Sequence, residues 1–186
     1  SGVSSEAMLA QHIDDFRRME AELRNNLEQE SRTQRETARF ILDWLHSHLF
    51  KDYRARLSSL TETLRNGAYN CVSATLIFNA LIHRFGIQSK VVDSPTHVLS
   101  RAYVDGAWVE VETTNPRGFA PFRSEEEYRA FLRSRGLRSG YQRLDKSGRL
   151  KPVLIPRRNQ RLRLVPNRLL PGFIVWNDAI IAAENG

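Results

Sequence analysis

Cysteine is almost missing: the 186 residues contain one, Cys71. A lone thiol excludes an internal disulfide framework and a thiolate-rich zinc site. Long apolar runs are missing as well. The two longest candidates, residues 71–82 and 169–183, are interrupted by Asn79, Pro171, Asn177 and Asp178. Neither reaches the roughly 18–20 apolar residues a membrane helix needs, so no membrane span is expected. A starting methionine is absent too. Ser1-Gly2 reads as a scar of tag removal, so the lack of a leader carries no information about compartment. Internal repeats and low-complexity segments are also absent.

What is present is an ordinary globular composition, 41% hydrophobic and 26% charged, with a net charge of +7. The length suits one domain with a sizeable core, and residues 1–186 are read as one. The charge is uneven. Residues 117–168 hold fifteen Lys and Arg against four acids, Glu125, Glu126, Glu127 and Asp145, which leaves the remainder slightly acidic. One region is therefore suited to meeting something negative. Aromatics such as Tyr128, Phe131 and Tyr141 are too few and scattered for a nucleic-acid stacking platform, and no recognition motif is present. A solvated face, or one that docks an acidic protein substrate, fits better than specific nucleic-acid binding.

The element pattern is α+β. Residues 4–30 place Met8, Leu9, Ile13, Phe16, Met19, Leu23 and Leu27 at helical spacing. A second helix is predicted over 33–49, burying Phe40, Ile41, Trp44 and Leu45. Residues 50–66 are polar and resist assignment, and Asn66-Gly67 marks a turn. Asn70 is a good N-cap for a helix over 71–85 that is apolar nearly all round, as a central helix would be, with Gly86 ending it. A short strand follows over 87–92. Strands over 97–104 and 107–113 then flank Asp105-Gly106, the strongest hairpin signal in the chain. A two-residue loop pairs Val104 with Ala107, Tyr103 with Trp108 and Arg101 with Glu110. Further on, Ser124–Glu127 resembles a capping box opening a helix to about Arg133. Edge strands are predicted near 153–155 and 161–165, and a last helix from Pro171. The chain divides into a helical part (1–65), a core (66–114), a basic loop and strand region (115–168) and a C-terminal helix (169–186). Its end at full hydrophobicity suggests a domain cut from a longer protein.

Two placements point to chemistry. Cys71 stands at the first position of the buried helix, where unpaired N–H groups and the helix dipole favour a thiolate. The competing view is a core cysteine on the stripe Cys71, Ala74, Phe78, Ile82. Of the five histidines, His12, His46, His48 and His83 fall within predicted helices, where a solvated or half-buried role is ordinary. His97 instead opens a strand. In the hairpin register it shares a face with Glu112, diagonally across, and a carboxylate on one ring nitrogen leaves the other to take the thiol's proton. The competing view is a structural His–Glu bond. Glu110 is the rival acid but already faces Arg101, and Asp93 is a weaker candidate.

The segment Gly67-Ala-Tyr-Asn-Cys-Val-Ser-Ala-Thr75, with Thr96-His-Val-Leu-Ser100 and Asp105-Gly-Ala-Trp-Val-Glu-Val-Glu-Thr-Thr114, resembles the transglutaminase-like superfamily of papain-like fold. The likeness covers residues 66–114, in the family's order of Cys on a helix, then His and acid on strands. It implies N-terminal helices with a central catalytic helix packed on an antiparallel sheet. It also implies Cys71 as nucleophile, His97 as general base and acid, and Glu112 as orienter, where the family usually has Asp. The backbone N–H of Cys71, with Asn66, Tyr69 or Asn70, is a candidate for binding the oxyanion. Cys-Val-Ser lacks the acidic pair of the calcium-dependent periplasmic branch, so neither metal nor cofactor is expected. Phe173-Ile-Val-Trp-Asn-Asp-Ala179 is similar to the start of a helical repeat that follows such domains in some bacterial proteins.

The function this implies is acyl transfer on a peptide or side-chain amide through a Cys71 thioester. Hydrolysis, by a cysteine protease or amidase, is the expectation, because excluding water demands a dedicated amine site and none is visible. Transglutaminase-type crosslinking and a non-catalytic protein-binding module on the same fold are the alternatives. Compartment stays open, with a bacterial cell envelope or periplasm ahead of the cytoplasm.

Overall fold

A computed structural model describes residues 6–27, 31–55, 57, 59–94, 97–119 and 163–165. Among them the chain forms four helices and two small sheets, an α+β arrangement. The predicted helix at 124–133, the strand at 153–155 and the C-terminal helix lie outside the described residues.

Helix α1 (Glu6–Leu27) buries Leu23, with Phe16, Met19 and Leu27 packed against the same core. Ile13, predicted on the apolar stripe, is instead 44% exposed, and His12, expected to be solvated or half-buried, is 7% exposed and bonded to Thr61. The buried face of α1 is therefore rotated toward His12 by its contact with α3. Helix α2 (Gln34–His48) starts at a capping box, in which the Thr33 hydroxyl accepts from the Glu36 N–H and the Glu36 carboxylate accepts from the Thr33 N–H.

The segment without a sequence assignment, 50–66, holds two elements, and a third follows it directly. Strand β1 (Asp52–Tyr53) pairs in parallel with β2 (Ala68–Tyr69), and α3 (Leu60–Asn66) runs between them. Ser59-Leu-Thr-Glu62 is an N-cap signal that could have revealed α3: the Ser59 hydroxyl accepts from the Glu62 N–H. Asn66-Gly67 is the end of that helix. Gly67 has φ 74°, and a Cβ there would stand 2.5 Å from the Leu49 carbonyl oxygen, so a side chain is excluded twice over.

Helix α4 (Cys71–Arg84) lies between α2 and the larger sheet. Its Phe78, Leu81 and Ile82 meet Ile41, Leu42 and Leu45 of α2 and the strand residues Ala102, Val104 and Val111 in one core. Its buried polar side chains are paired: Thr75 with Thr113 at 2.8 Å and Asn79 with Ser100 at 2.5 Å. Those bonds dock the helix onto the sheet at defined points, because burying them unpaired would cost about 1–3 kcal/mol each.

The sheet order is β5-β4-β3-β6, all antiparallel, with β3 (Ser89–Ser94), β4 (His97–Val104), β5 (Ala107–Val111) and β6 (Arg163–Val165). The hairpin register pairs Tyr103 with Trp108 and Arg101 with Glu110, as the turn dictates. Both turn residues have positive φ, 50° at Asp105 and 81° at Gly106, which a type I′ turn requires. Strand β5 stops at Val111, short of the predicted end at 113. There the chain turns back, and the Glu112 N–H donates to the Gly118 carbonyl at 3.2 Å rather than across to β4.

Candidate functional site

Cys71 is the first residue of α4 and is half-buried. Asn70 caps the helix. Its side-chain oxygen accepts from the N–H groups of Val72 and Ser73, each at 3.0 Å, and its carbonyl accepts from Ala74. That leaves the Cys71 N–H with no acceptor among the described residues. It is the one donor of this first turn still open to a ligand.

His97 is the first residue of β4, in register with Ser94. Its Nε2–H donates to Glu112 Oε2 at 2.7 Å, with both side chains largely buried, at 13% and 14% exposure. Nδ1, the other ring nitrogen, is also buried, and the side chain of Cys71 lies near enough to the ring to favour its charged form. The structure thus brings Cys71, His97 and Glu112 together in that order.

The Glu112 carboxylate is held on its other side as well. Oε1 accepts from the Thr114 N–H at 3.1 Å and from the Thr114 hydroxyl at 2.8 Å. The turn that makes this possible is fastened to the rest of the site. Thr113 bonds Thr75 of α4, the helix that carries Cys71, and the Thr113 carbonyl accepts from His46 Nε2 of α2 at 3.1 Å. Gly118 closes the turn against Glu112, where a Cβ would overlap the Glu112 carbonyl. Thr113, Thr114 and Gly118 were not singled out from the sequence. A hydroxyl two residues after an acid is the one local signal for Thr114.

Electrostatics sharpen the arrangement. Burial pushes the His97 ring down, but the Glu112 charge, the Cys71 hydrogen bond and the Glu112 hydrogen bond outweigh it and raise the ring well above 6.5. Burial pushes the Glu112 carboxyl up, but the His97 charge and bond, with the Thr114 bonds, bring it below 4.5. The pair therefore favours imidazolium beside carboxylate, with the imidazolium adjoining the thiol.

The other proposed substrate-side residues lie elsewhere. The Asn70 amide donates to the Leu57 carbonyl at 2.6 Å and its backbone N–H to Ser73 Oγ, so the fold uses both groups. Tyr69 is 3% exposed, stacked on Phe50 and edge-on to Tyr53 and His46. Asn66 is exposed and donates to Glu62 at the end of α3. Glu110 faces Arg101 in the ladder, where burial raises its carboxyl against the opposing pull of Arg101. Asp93 stands in β3 opposite Val98 and Arg163.

Among the described residues no group of three His, Cys, Asp or Glu could hold a metal ion, and no helix is long and apolar enough to cross a membrane. Comparison with protein-family models, with curated proteins and with solved structures finds no match to this chain in any of the three.

Proposed function

We propose that this chain is a thiol-dependent acyl-transfer enzyme built on a transglutaminase-like, papain-like core, with Cys71 as nucleophile, and that it hydrolyses a peptide or side-chain amide. One observation carries the reading: an imidazole fixed at 2.7 Å by a buried carboxylate has the lone thiol as a neighbour that favours its charged form. A structural His–Glu bond needs no thiol at the helix tip; a nucleophile does.

In this reading the roles follow from the atoms. Glu112 accepts from Nε2–H and so leaves Nδ1 as the nitrogen that takes the Cys71 proton. The thiolate adds to the amide carbonyl carbon. The oxyanion that forms is met by the Cys71 N–H, the first-turn donor without an acceptor. The imidazolium then passes its proton to the leaving nitrogen, the C–N bond breaks, and an acyl thioester remains. Water, deprotonated by the same ring, adds to the thioester and releases the acid and the thiol. Glu112 and Thr114 keep the ring in one tautomer through both halves.

Iodoacetamide labelling of Cys71 tests this. Expected is rapid labelling at about pH 6–7, well below where an ordinary thiol reacts, with a fall of at least about tenfold in His97→Ala. Labelling that stays slow until pH 8–9 and ignores His97 would remove the enzyme reading. An amidase screen of wild type against Cys71→Ala is the direct complement.

A further inference from the structure

Helix α4 is apolar nearly all round, yet beyond its capped first turn it buries two polar side chains, Thr75 and Asn79. Thr75 meets the buried Thr113 hydroxyl at 2.8 Å, and Asn79 Oδ1 accepts from the buried Ser100 hydroxyl at 2.5 Å. Cys71, Thr75 and Asn79 follow one another at every fourth position. Each step turns about 40° past a full turn, so the three lie on one side of the helix. Thr75 stands about 6 Å along the axis from Cys71, and Asn79 about 12 Å.

Both partners sit on the segments that carry the rest of the site. Thr113 directly follows Glu112; its side chain reaches α4 while its carbonyl is held by His46 of α2. Ser100 stands in β4, the strand that His97 opens. Apolar contacts alone define the seat of a helix loosely, because cores accept many hydrophobic arrangements of the right volume. Buried hydroxyls are less tolerant. Sliding α4 by one residue shifts each side chain about 1.5 Å along the axis and about 100° around it. That slip parts both pairs and leaves the hydroxyls buried without those partners, a cost that apolar neighbours do not impose. The two bonds therefore fix where the tip of α4 stands relative to His97 and Glu112. Thr75–Thr113 is the nearer of the two to the thiol, and it adjoins the acid.

We infer that Thr75 and Thr113 are positioning residues of the thiol site, and that their hydroxyl pair sets the seat of Cys71 against the His97–Glu112 pair. The inference rests on Cys71 being the nucleophile. Thr75 acts through Cys71, on the same face of α4, and Thr113 acts through Glu112, its neighbour in the chain.

The test follows iodoacetamide labelling of Cys71 from about pH 5 to 10, alongside urea midpoints. Thr75→Val removes one hydroxyl at nearly constant volume and strands the other, so the urea midpoint is expected to fall. Labelling at pH 7 is expected to slow about tenfold, with the pH of half-maximal rate moving up toward the 8–9 of an ordinary thiol. The double variant Thr75→Val/Thr113→Val separates register from stability. Replacing both partners by apolar groups of the same shape is nearly neutral for stability. Its urea midpoint is therefore expected to recover while labelling stays slow and the pH midpoint stays high. Thr75→Ser keeps the hydroxyl and is expected to label like wild type. Ile82→Val trims a buried side chain further along the same helix and is expected to lower the urea midpoint with labelling unchanged. Wild-type labelling in Thr75→Val or in the double variant would overturn the inference and leave the nucleophile standing. Equal slowing in Ile82→Val would overturn it too, because any loosening of the core would then suffice. Slow labelling of wild type that ignores His97 is a different result: it removes the nucleophile, and the positioning role with it.

Discussion

Glu112 is a buried carboxylate that accepts three hydrogen bonds, one from His97 and two from Thr114. An Asp at this position would have a shorter reach. With Glu, the extra methylene lets the acid sit beyond the last ladder pair of β5 and still meet the ring, and Thr114 removes the freedom that the longer side chain adds. Thr114 is thus a positioning residue that acts through Glu112. In Thr114→Val the hydroxyl bond to Oε1 goes while the volume stays. A bond to a charged group is worth about 1.5–3 kcal/mol, so iodoacetamide labelling of Cys71 near pH 7 is expected to slow about tenfold. Thr114→Ser restores the hydroxyl and is expected to restore most of the rate. If Val and Ser variants label alike, at the wild-type rate, Thr114 has no part in orienting the acid.

At the scale of elements, α4 does two jobs. Its N terminus presents Cys71 and its interior grips the sheet and the Glu112 turn through Thr75 and Asn79. The tip is shaped by Asn70, which satisfies two N–H groups and the Leu57 carbonyl while 1% exposed. Asn70→Ala is expected to lower stability by about 1–2 kcal/mol, the upper part of the range for a lost N-cap. Asn66→Ala, at an exposed site, is expected to stay within about 0.5 kcal/mol. Urea midpoints compare the two directly, and equal midpoints would mean that the cap does not stabilise the helix as its bonds imply. The same elements show why parts of the chain were legible beforehand. Thr33, Asn70, Gly86 and Asp105-Gly106 each act on residues within four positions of themselves, so α2, α4 and the hairpin register could be read in advance. Strand β5 ends early because the Glu112 N–H turns to Gly118, a contact that depends on the chain folding back, and nothing in the alternation of 107–113 announces it.

Across the whole molecule, charge ties distant elements together. Glu20 of α1 joins Arg24 on its own helix to Arg84 at the end of α4, and these bonds hold its carboxyl below 4.5. The His97–Glu112 pair ties β4 to the turn after β5 and gives stability a pH dependence. Glu112, lowered by folding, contributes above about pH 4.5, and that contribution is lost as pH falls through its folded value. His97, raised by folding, contributes fully below about pH 6.5, and that contribution is lost as pH rises through its folded value. These are two views of one ion pair, whole between about pH 4.5 and 6.5. The melting temperature of wild type is therefore expected to exceed that of Glu112→Gln most in that window, with the gap narrowing on either side. A gap that is constant from pH 4 to 9 would mean the pair is not charged in the folded protein.

Helices α1, α2 and α4, the hairpin register, the cap at Asn70 and the candidacy of Cys71, His97 and Glu112 all follow from residues close in sequence, because caps, turns and alternation are local physics. Tertiary structure alone decided that Thr114 and Gly118 brace the acid, that His12 is buried while Ile13 faces water, that β1 pairs in parallel with β2, and that the Asn70 amide serves Leu57. Each of these depends on which distant surfaces meet, and a buried polar atom takes whatever partner the packing brings to it.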